Sequence, residues 1–582
     1  MKMNISNTIT KAFMRLLPVQ VLSLLTAALN TTIDSMITGT YLGTEAMAAI
    51  GLFAPIITII YLCYVIFDGM LIMIGTYIGS GNESGVNDVF NTGMLAAVCY
   101  GLVLSCIGFV FSKPVSEIMG GTGNLAFLFT EYVKGYAPGI PFLILSCGLS
   151  MMISYNNAIR RSYISIAVMA ISNMIMDLIM VVFLKKGVVG IGVATSISYI
   201  CSVIVLIPSF LVRSNTLHFI VLKPNFAELR EMLRLGLKQL AFNLGNTLKT
   251  YIVNIAVLNL AGAAAVAVIN VQNSLSSVFG AFPCGNASAY STLSGIYYGE
   301  EDRRSFLSLT KLALIVGVSM TTAITLLMAA LSGIIPYAYF PNDKIAFNYS
   351  RRMLLIFPCL FIFNAVSTVF FNAHHVQKRL GIVNALSFIA QIMQGLMALL
   401  LSMLMGLEGI FIAYPLSELM IVILLYIYGT VKAEKGSSGL VKWTVLSSDL
   451  GAPDDAVLEH IVNDMDDVIN FSERVIDFCT SKGISGKTAR IAGLCIEEMA
   501  GNVVSYGFTG KHKHTLEIRV AIHNGLVIRL RDNCKEFDPK SRMKQFDPED
   551  PAKNIGIRMI SRLTDNITYH NDAGVNTLLI RL

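Results

Sequence analysis

The feature that most constrains this chain is a series of apolar runs, each close to the roughly 20 residues a helix needs to cross the hydrocarbon core of a bilayer. Twelve stretches fit: residues 16–38, 48–77, 92–112, 136–156, 163–184, 188–212, 239–260, 264–297, 311–336, 353–373, 381–404 and 409–430. Backbone amides in lipid must be satisfied within their own segment, so runs of this kind fold as helices. The expected fold is an all-α polytopic membrane protein with 12 transmembrane helices, the second and eighth overlong and therefore tilted or bent.

That pattern stops near residue 440. Residues 441–582 hold 18 Lys and Arg and 20 Asp and Glu, against 25 and 17 in the 440 residues before them. Soluble domains carry about 25% charged residues. The whole chain has 14%, so the composition describes a membrane part followed by an ordinary soluble domain. The excess of basic residues lies in the membrane part, where short basic loops follow from topology, and it gives no support to a nucleic-acid partner. Placing the N-terminus inside puts 17 Lys and Arg on the inner side and seven on the outer, with Lys185-Lys186 against the trend. Both termini are then expected in the cytoplasm, with the chain in the cytoplasmic (inner) membrane. Lys2, Lys11 and Arg15 precede the first run, but no convincing small-residue cleavage site follows, so a retained helix is expected rather than a signal peptide. The ten cysteines form no C-x-x-C pair and read as reduced apolar fillers.

The membrane part repeats itself. "YLGTEAMAAIG" around Gly43 is echoed by "NLAGAAAVAVI" around Gly262, Gly81 by Gly299, Pro141 by Pro358 and Asn157 by Asn372. Two six-helix repeats are expected, over residues 1–218 and 219–434, then a linker at 435–442 and a soluble domain at 443–582. Repeated halves rocking about a site at their interface are a common transporter plan.

An ionisable side chain within a span costs about 2.5–3.5 kcal/mol on insertion scales, so each one calls for a reason. Asp34 follows Asn30 by one helical turn, and Asp177 follows Asn173 in the same way. Each acid therefore shares a helix face with an amide that can hydrogen-bond it. Such a pair suits loading and unloading of a proton, or a Na⁺ held by carboxylate and amide oxygens. A structural acid facing lumen water is the plainer alternative. Asp68 and Glu418 read as lining a wet cavity. Lys249, on the seventh span, reads either as a counter-ion to an acid or as a charge that favours anionic substrates. His374-His375 reads as solvated in a basic inner loop.

The Pro18…Asp34…Gly43 run, the repeated glycines and "SNMIMD" of the fifth span resemble the MATE family of multidrug and toxin extruders, over about residues 10–430. That resemblance implies two lobes around a central cavity and an H⁺ or Na⁺ gradient driving antiport of small organic, amphipathic compounds. It also implies that Asp34 is the first-helix acid and that Asn173 and Asp177 are the fifth-helix pair. A flippase of lipid-linked or anionic solutes in the same superfamily, and a non-transporting membrane-tethered sensor, remain as alternatives.

In the soluble half the pattern predicts helical segments at 455–481 and 486–507. Strand-like "TLEIRVAIH", "LVIRLRD", "ITYH" and "NTLLIRL" follow, with a helix near 556–564, which together make an α+β sandwich. "CIEEMAGNVVSYGF", "LRDNCKEFDP" and "NIGIRMISRL", in that order, resemble the GHKL ATPases, and within them the anti-sigma-factor serine kinases. The resemblance implies ATP and Mg²⁺ as cofactors. It makes Glu498 the base that activates an attacking hydroxyl, Asn502 the Mg²⁺ ligand, and Asp532 with Thr577 the adenine contacts. Gly556 would open a helix whose amides meet phosphate, while Glu497, off the Glu498–Asn502–Tyr506 face, reads as solvated. Serine/threonine kinase activity on a partner resembling an anti-sigma antagonist is the enzymatic reading. Cys534 and Asn554 stand where the family commonly has glycine, which weakens the case for phosphoryl transfer. No G-x-x-x-x-G-K-[ST] loop is present, so a primary pump is not indicated.

Overall fold

The computed structural model describes residues 7–42, 46, 49–50, 53–118, 123–213, 215–220, 224–259, 263–340, 344–508, 514–523, 525–536, 555–564, 566–572 and 574–582. The side chains of residues 27–36, Asn30 and Asp34 among them, lie outside that description, as do Gly43, Gly262 and Asn554.

The first lobe comprises α1 (Asn7–Tyr41), α2 (Tyr64–Ser80), α3 (Glu83–Val110), α4 (Gly123–Tyr136), α5 (Ile140–Met152), α6 (Ile159–Leu178) and α7 (Gly187–Leu206). The second comprises α8 (Phe226–Asn259), α9 (Ala263–Phe279), α10 (Ala281–Gly299), α11 (Arg303–Ala330), α12 (Lys344–Ile356), α13 (Cys359–Val376), α14 (Leu380–Met405) and α15 (Leu407–Lys432). Among the described residues, ten helical segments are long and apolar enough to cross a membrane. The expected seventh and eighth spans are helical but are not among the ten. Helix α8 carries Lys238, Asn243, Asn246 and Lys249, and the eighth is divided at Gly280 into α9 and α10. Helix α8 also starts 13 residues earlier than expected, at Phe226, so that Lys238 lies inside a helix rather than in a basic loop.

The repeat is legible at the lobe interface. Helices α2 and α10 pack against each other through Gly75 and Gly79 on one side and Gly295 and Gly299 on the other. A Cβ on Gly75 would stand 3.1 Å from Gly295 Cα; one on Gly79 would meet the Ile296 carbonyl, and one on Gly299 the Thr76 carbonyl. Two small-xxx-small ridges thus let the backbones approach where no larger side chain would fit. The next helices start alike: Asn82 caps α3 by accepting from Gly85 N at 3.0 Å, and Asp302 caps α11 by accepting from Ser305 N at 3.1 Å.

A short helix, α16 (Gly439–Thr444), joins the soluble domain to the second lobe: Trp443 stacks on Phe370 of α13, centroids 4.9 Å apart. Beyond it a five-stranded antiparallel sheet runs in the order β1-β2-β3-β5-β4, with β1 at Val457–Val462, β2 at Leu516–Ile522, β3 at Leu526–Asp532, β4 at Asn566–Asp572 and β5 at Val575–Arg581. Helices α17 (Met465–Ser481), α18 (Gly486–Asn502) and α19 (Ile555–Leu563) complete the domain. Residues 457–462, expected as helix, form the edge strand instead. The helix starts only at Met465, where Asp464 accepts from Asp467 N at 2.9 Å and fixes its N-terminus. Because side chains alternate across a strand, Ile518, Val520, Ile528, Leu530, Leu578 and Ile580 pack with the helices. Arg519, Arg529 and Arg531 point to the opposite face, toward the membrane part.

Candidate functional site

In the membrane, α1 packs against α6, which brings the helix of Asn30 and Asp34 beside that of Asn173 and Asp177. Asn173 and Asp177 are buried, and Asn173 Nδ2 has no hydrogen-bond partner among the described residues. A π-helical turn over Ile179–Phe183 follows Asp177. Such turns interrupt the regular ladder and recur at functional positions. A packed interface holding a buried carboxylate and an unsatisfied amide is chemically suited to a proton or a small cation.

A second polar cluster lies within the other lobe. Glu418 of α15 is buried and accepts from Ser367, from Asn364 Nδ2 at 3.2 Å and from Gln394 Nε2 at 3.3 Å. Gln394 in turn accepts from Lys249 Nζ at 3.5 Å, and the ammonium stands 5.8 Å from the centroid of the Tyr414 ring. The acid to which Lys249 is linked, through the Gln394 amide, is therefore Glu418, and Glu418 is tied into a network rather than lining open water. Asp68 interacts electrostatically with Lys238 of α8, which donates to Asn372 Oδ1 at 2.7 Å. That pair bridges the lobes. His374 and His375, expected in a solvated loop, are instead buried at the end of α13. His375 Nε2 lies 2.6 Å from the Leu235 carbonyl, and the His374 ring meets Tyr428 edge-on. The helix simply continues past the apolar run, carrying both rings against α8 and α15.

In the soluble domain, the Glu498 carboxylate lies against Gly556 at the start of α19, and a Cβ at that glycine would collide with it. The structure thus brings the expected base to the helix opening expected to receive phosphate. Asn502 is the last residue of α18, one turn on. A π-helical turn over Val503–Gly507 then breaks the face, leaving Tyr506 exposed and out of line. Glu497 is not merely solvated: it accepts from Ser472 Oγ of α17 at 2.5 Å.

Asp532, at the end of β3, is buried on the helix-covered face. Its Oδ1 accepts from Cys534 N at 2.8 Å and from Asn576 Nδ2 at 2.7 Å. Burial raises the carboxyl pKa, and those two partners hold part of the rise back. Thr577 does not join it. In the β3–β5 register Asp532 opposes Asn576, while Thr577 opposes Arg531 on the membrane-facing side. The β5 side chain that holds Asp532 is therefore Asn576. Counting alternation outward from "LLIRL", whose Leu578 and Ile580 pack with the helices, was the signal that could have found it.

Two family models match this chain. That of the MatE family covers residues 20–179 and 240–397, and that of the histidine kinase-like ATPase domain covers residues 461–582. The protein described as "Probable multidrug resistance protein YoeA" of Bacillus subtilis (strain 168) is 25% identical over 192 residues, 32% of this chain and 42% of that protein. The "Multidrug export protein MepA" of Staphylococcus aureus (strain bovine RF122 / ET3-1) is 26% identical over 197 residues, 33% of this chain and 43% of its own length. The chain thus spans less than half the length of these curated relatives. Among solved structures, a MOP superfamily transporter from Pyrococcus furiosus superposes with a TM-score of 0.66 at 18% identity, covering 74% of this chain and 98% of the other. A mutant of the Vibrio cholerae MATE transporter VcmN does so with a TM-score of 0.67 at 13% identity, covering 72% and 97%. At those identities the likeness is one of fold. The chain belongs to the MatE family and carries a histidine kinase-like ATPase domain at its C-terminal end.

Proposed function

We propose that the membrane part exports small organic, amphipathic compounds in exchange for H⁺ or Na⁺, with both termini in the cytoplasm. In this reading the C-terminal domain binds Mg-ATP to regulate transport or to phosphorylate a serine on a small partner protein. The observation that carries the transport reading is the buried Asn173–Asp177 pair on the helix against which α1, the helix of Asn30 and Asp34, is packed. The curated relatives named for multidrug resistance and export support a small organic substrate. The anionic-substrate alternative loses its main support, because Lys249 is engaged with Glu418 through Gln394.

Asp34→Asn keeps the shape and removes the titratable charge. In proteoliposomes loaded with a cationic amphipathic dye, wild-type protein should export the dye in response to an imposed ΔpH or Na⁺ gradient, and Asp34→Asn should lose that response with folding intact. Gradient-dependent efflux of equal rate in both would overturn the assignment of Asp34. Lipid-analogue scrambling without dye efflux would favour the flippase reading, and neither activity the sensor.

A further inference from the structure

The face of the sheet turned away from its own helices carries Arg519, Arg529 and Arg531, and these close on two acids of the membrane part. Asp302 pairs with Arg519 at 2.6 Å and with Arg529; Glu300 pairs with Arg531 at 2.7 Å and with Arg529 at 3.4 Å. All five side chains are at most 7% exposed. Burial alone would raise the Glu300 carboxyl pKa, but Arg531 and Arg529 outweigh it and hold the group below the usual carboxylate value. At the rim, Arg304 bridges to Asp454 and Glu459, each at 2.9 Å.

These acids sit at a particular place. Glu300 follows Gly299, the last residue of α10, and Asp302 caps α11, so both stand at the end of the glycine seam where α2 and α10 join the two lobes. The same sheet also reaches the first lobe. Thr568 of β4 lies against Gly81 at the end of α2, Gly574 lies against Arg15, and β4 packs on the turn at Ile153–Asn156. The five buried charges therefore fasten the sheet to the second lobe, while Thr568, Gly574 and β4 rest on the first, so the domain bridges the seam and the lobes can part at this end only if one of the two attachments is broken.

We propose that the C-terminal domain is a lock on the transporter: anchored to the second lobe by its arginines on Glu300 and Asp302, it braces the first lobe through Thr568, Gly574 and β4, and the cavity opens toward the domain only when this brace is loosened. The inference rests on the reading that the lobes rock about a central cavity. Strand β3 gives it a handle, since Arg531 faces the seam and the next residue, Asp532, faces the candidate nucleotide site.

Amide hydrogen exchange on the full chain in lipid nanodiscs reads the seam directly. In Glu300→Gln/Asp302→Asn, exchange in residues 74–80 and 293–299 should accelerate on the order of tenfold or more, while α12, distant in sequence from the lock, keeps its wild-type rate. Arg529→Lys/Arg531→Lys keeps both charges and serves if the first variant does not fold. Loss of the fixed guanidinium geometry should then accelerate the seam by roughly threefold. Wild-type exchange at both segments in a folded variant overturns the lock, as does acceleration spread equally over α12. Exchange is measured without any solute being transported, so a wild-type protein with no efflux would remove the transport reading while leaving this result to stand by itself.

Discussion

Replacing Glu418 with glutamine should lower the unfolding free energy of the detergent-solubilised protein by about 3–5 kcal/mol, because the Lys249 ammonium loses the buried charge that compensates it. Coulomb attraction between the two is weakened by the intervening Gln394, but the low-dielectric surroundings preserve enough of it to matter. Lys249→Met should also destabilise, leaving Glu418 with only its neutral donors Asn364, Ser367 and Gln394. Removing both charges together should recover most of the loss, a coupling on the order of 2–3 kcal/mol. Asp68 provides the control, since its cation is Lys238 and not Lys249. Lys249→Met combined with Asp68→Asn should therefore be additive within about 0.5 kcal/mol. Equilibrium unfolding in mixed micelles checks the full cycle. Additive losses for Glu418→Gln and Lys249→Met would show that the two side chains do not form a pair.

The apolar runs made most of the membrane helices legible, because span length and backbone satisfaction leave few alternatives. What composition hid was the polar character of α8, whose Lys238 and Lys249 are tolerated because Asp68, Asn372, Gln394 and Glu418 arrive from helices more than a hundred residues away. Such pairings are set by tertiary packing and leave no local trace, which is why Lys249 had no single expected partner. In the soluble domain the order of the boxes placed Glu498, Gly556 and Asp532 within one fold, and the structure does bring Glu498 to Gly556. Thr577 differs from expectation by a single residue, because one residue of register moves a side chain to the other face of the sheet. The β1 segment is a strand where the pattern predicts helix, for a related reason. "VLEHIV" is too short for its alternation to stand out, and its partner strand β2 lies more than fifty residues on. The arginines of β2 and β3 showed only as alternating charge, and nothing local said that Glu300 and Asp302 would cover them.

Nucleotide binding should divide the candidate residues of the C-terminal domain into three groups. Asp532→Asn should weaken Mg-ATP binding by about 10- to 100-fold, since an amide replaces a charge-assisted acceptor that contributes roughly 1.5–3 kcal/mol. Asn576→Ala should also weaken it, because Asn576 Nδ2 is what orients the carboxylate. Thr577→Ala should leave it unchanged, that side chain being on the face turned toward the membrane. Glu498→Ala should keep binding and lose any phosphoryl transfer, as expected for a base that acts on the attacking hydroxyl alone. Calorimetry on the full-length protein at millimolar Mg-ATP separates these groups, and an absence of heat from folded wild-type protein would rule out the nucleotide site. Stability gives an independent reading of Asp532. Its carboxyl pKa is raised by burial, so the folded state binds this proton more readily than the unfolded chain does, and the ionised group costs stability as pH rises through its folded value. Without nucleotide, Asp532→Asn should therefore melt higher than wild type at neutral pH, with a gain that shrinks as pH falls to the ordinary aspartate range. A variant that melts lower at pH 8 would mean that the ionised carboxylate is held by stronger partners than Asn576 and the Cys534 amide. A variant that melts higher yet loses ATP would identify Asp532 as a residue kept for recognition at the expense of the apo fold.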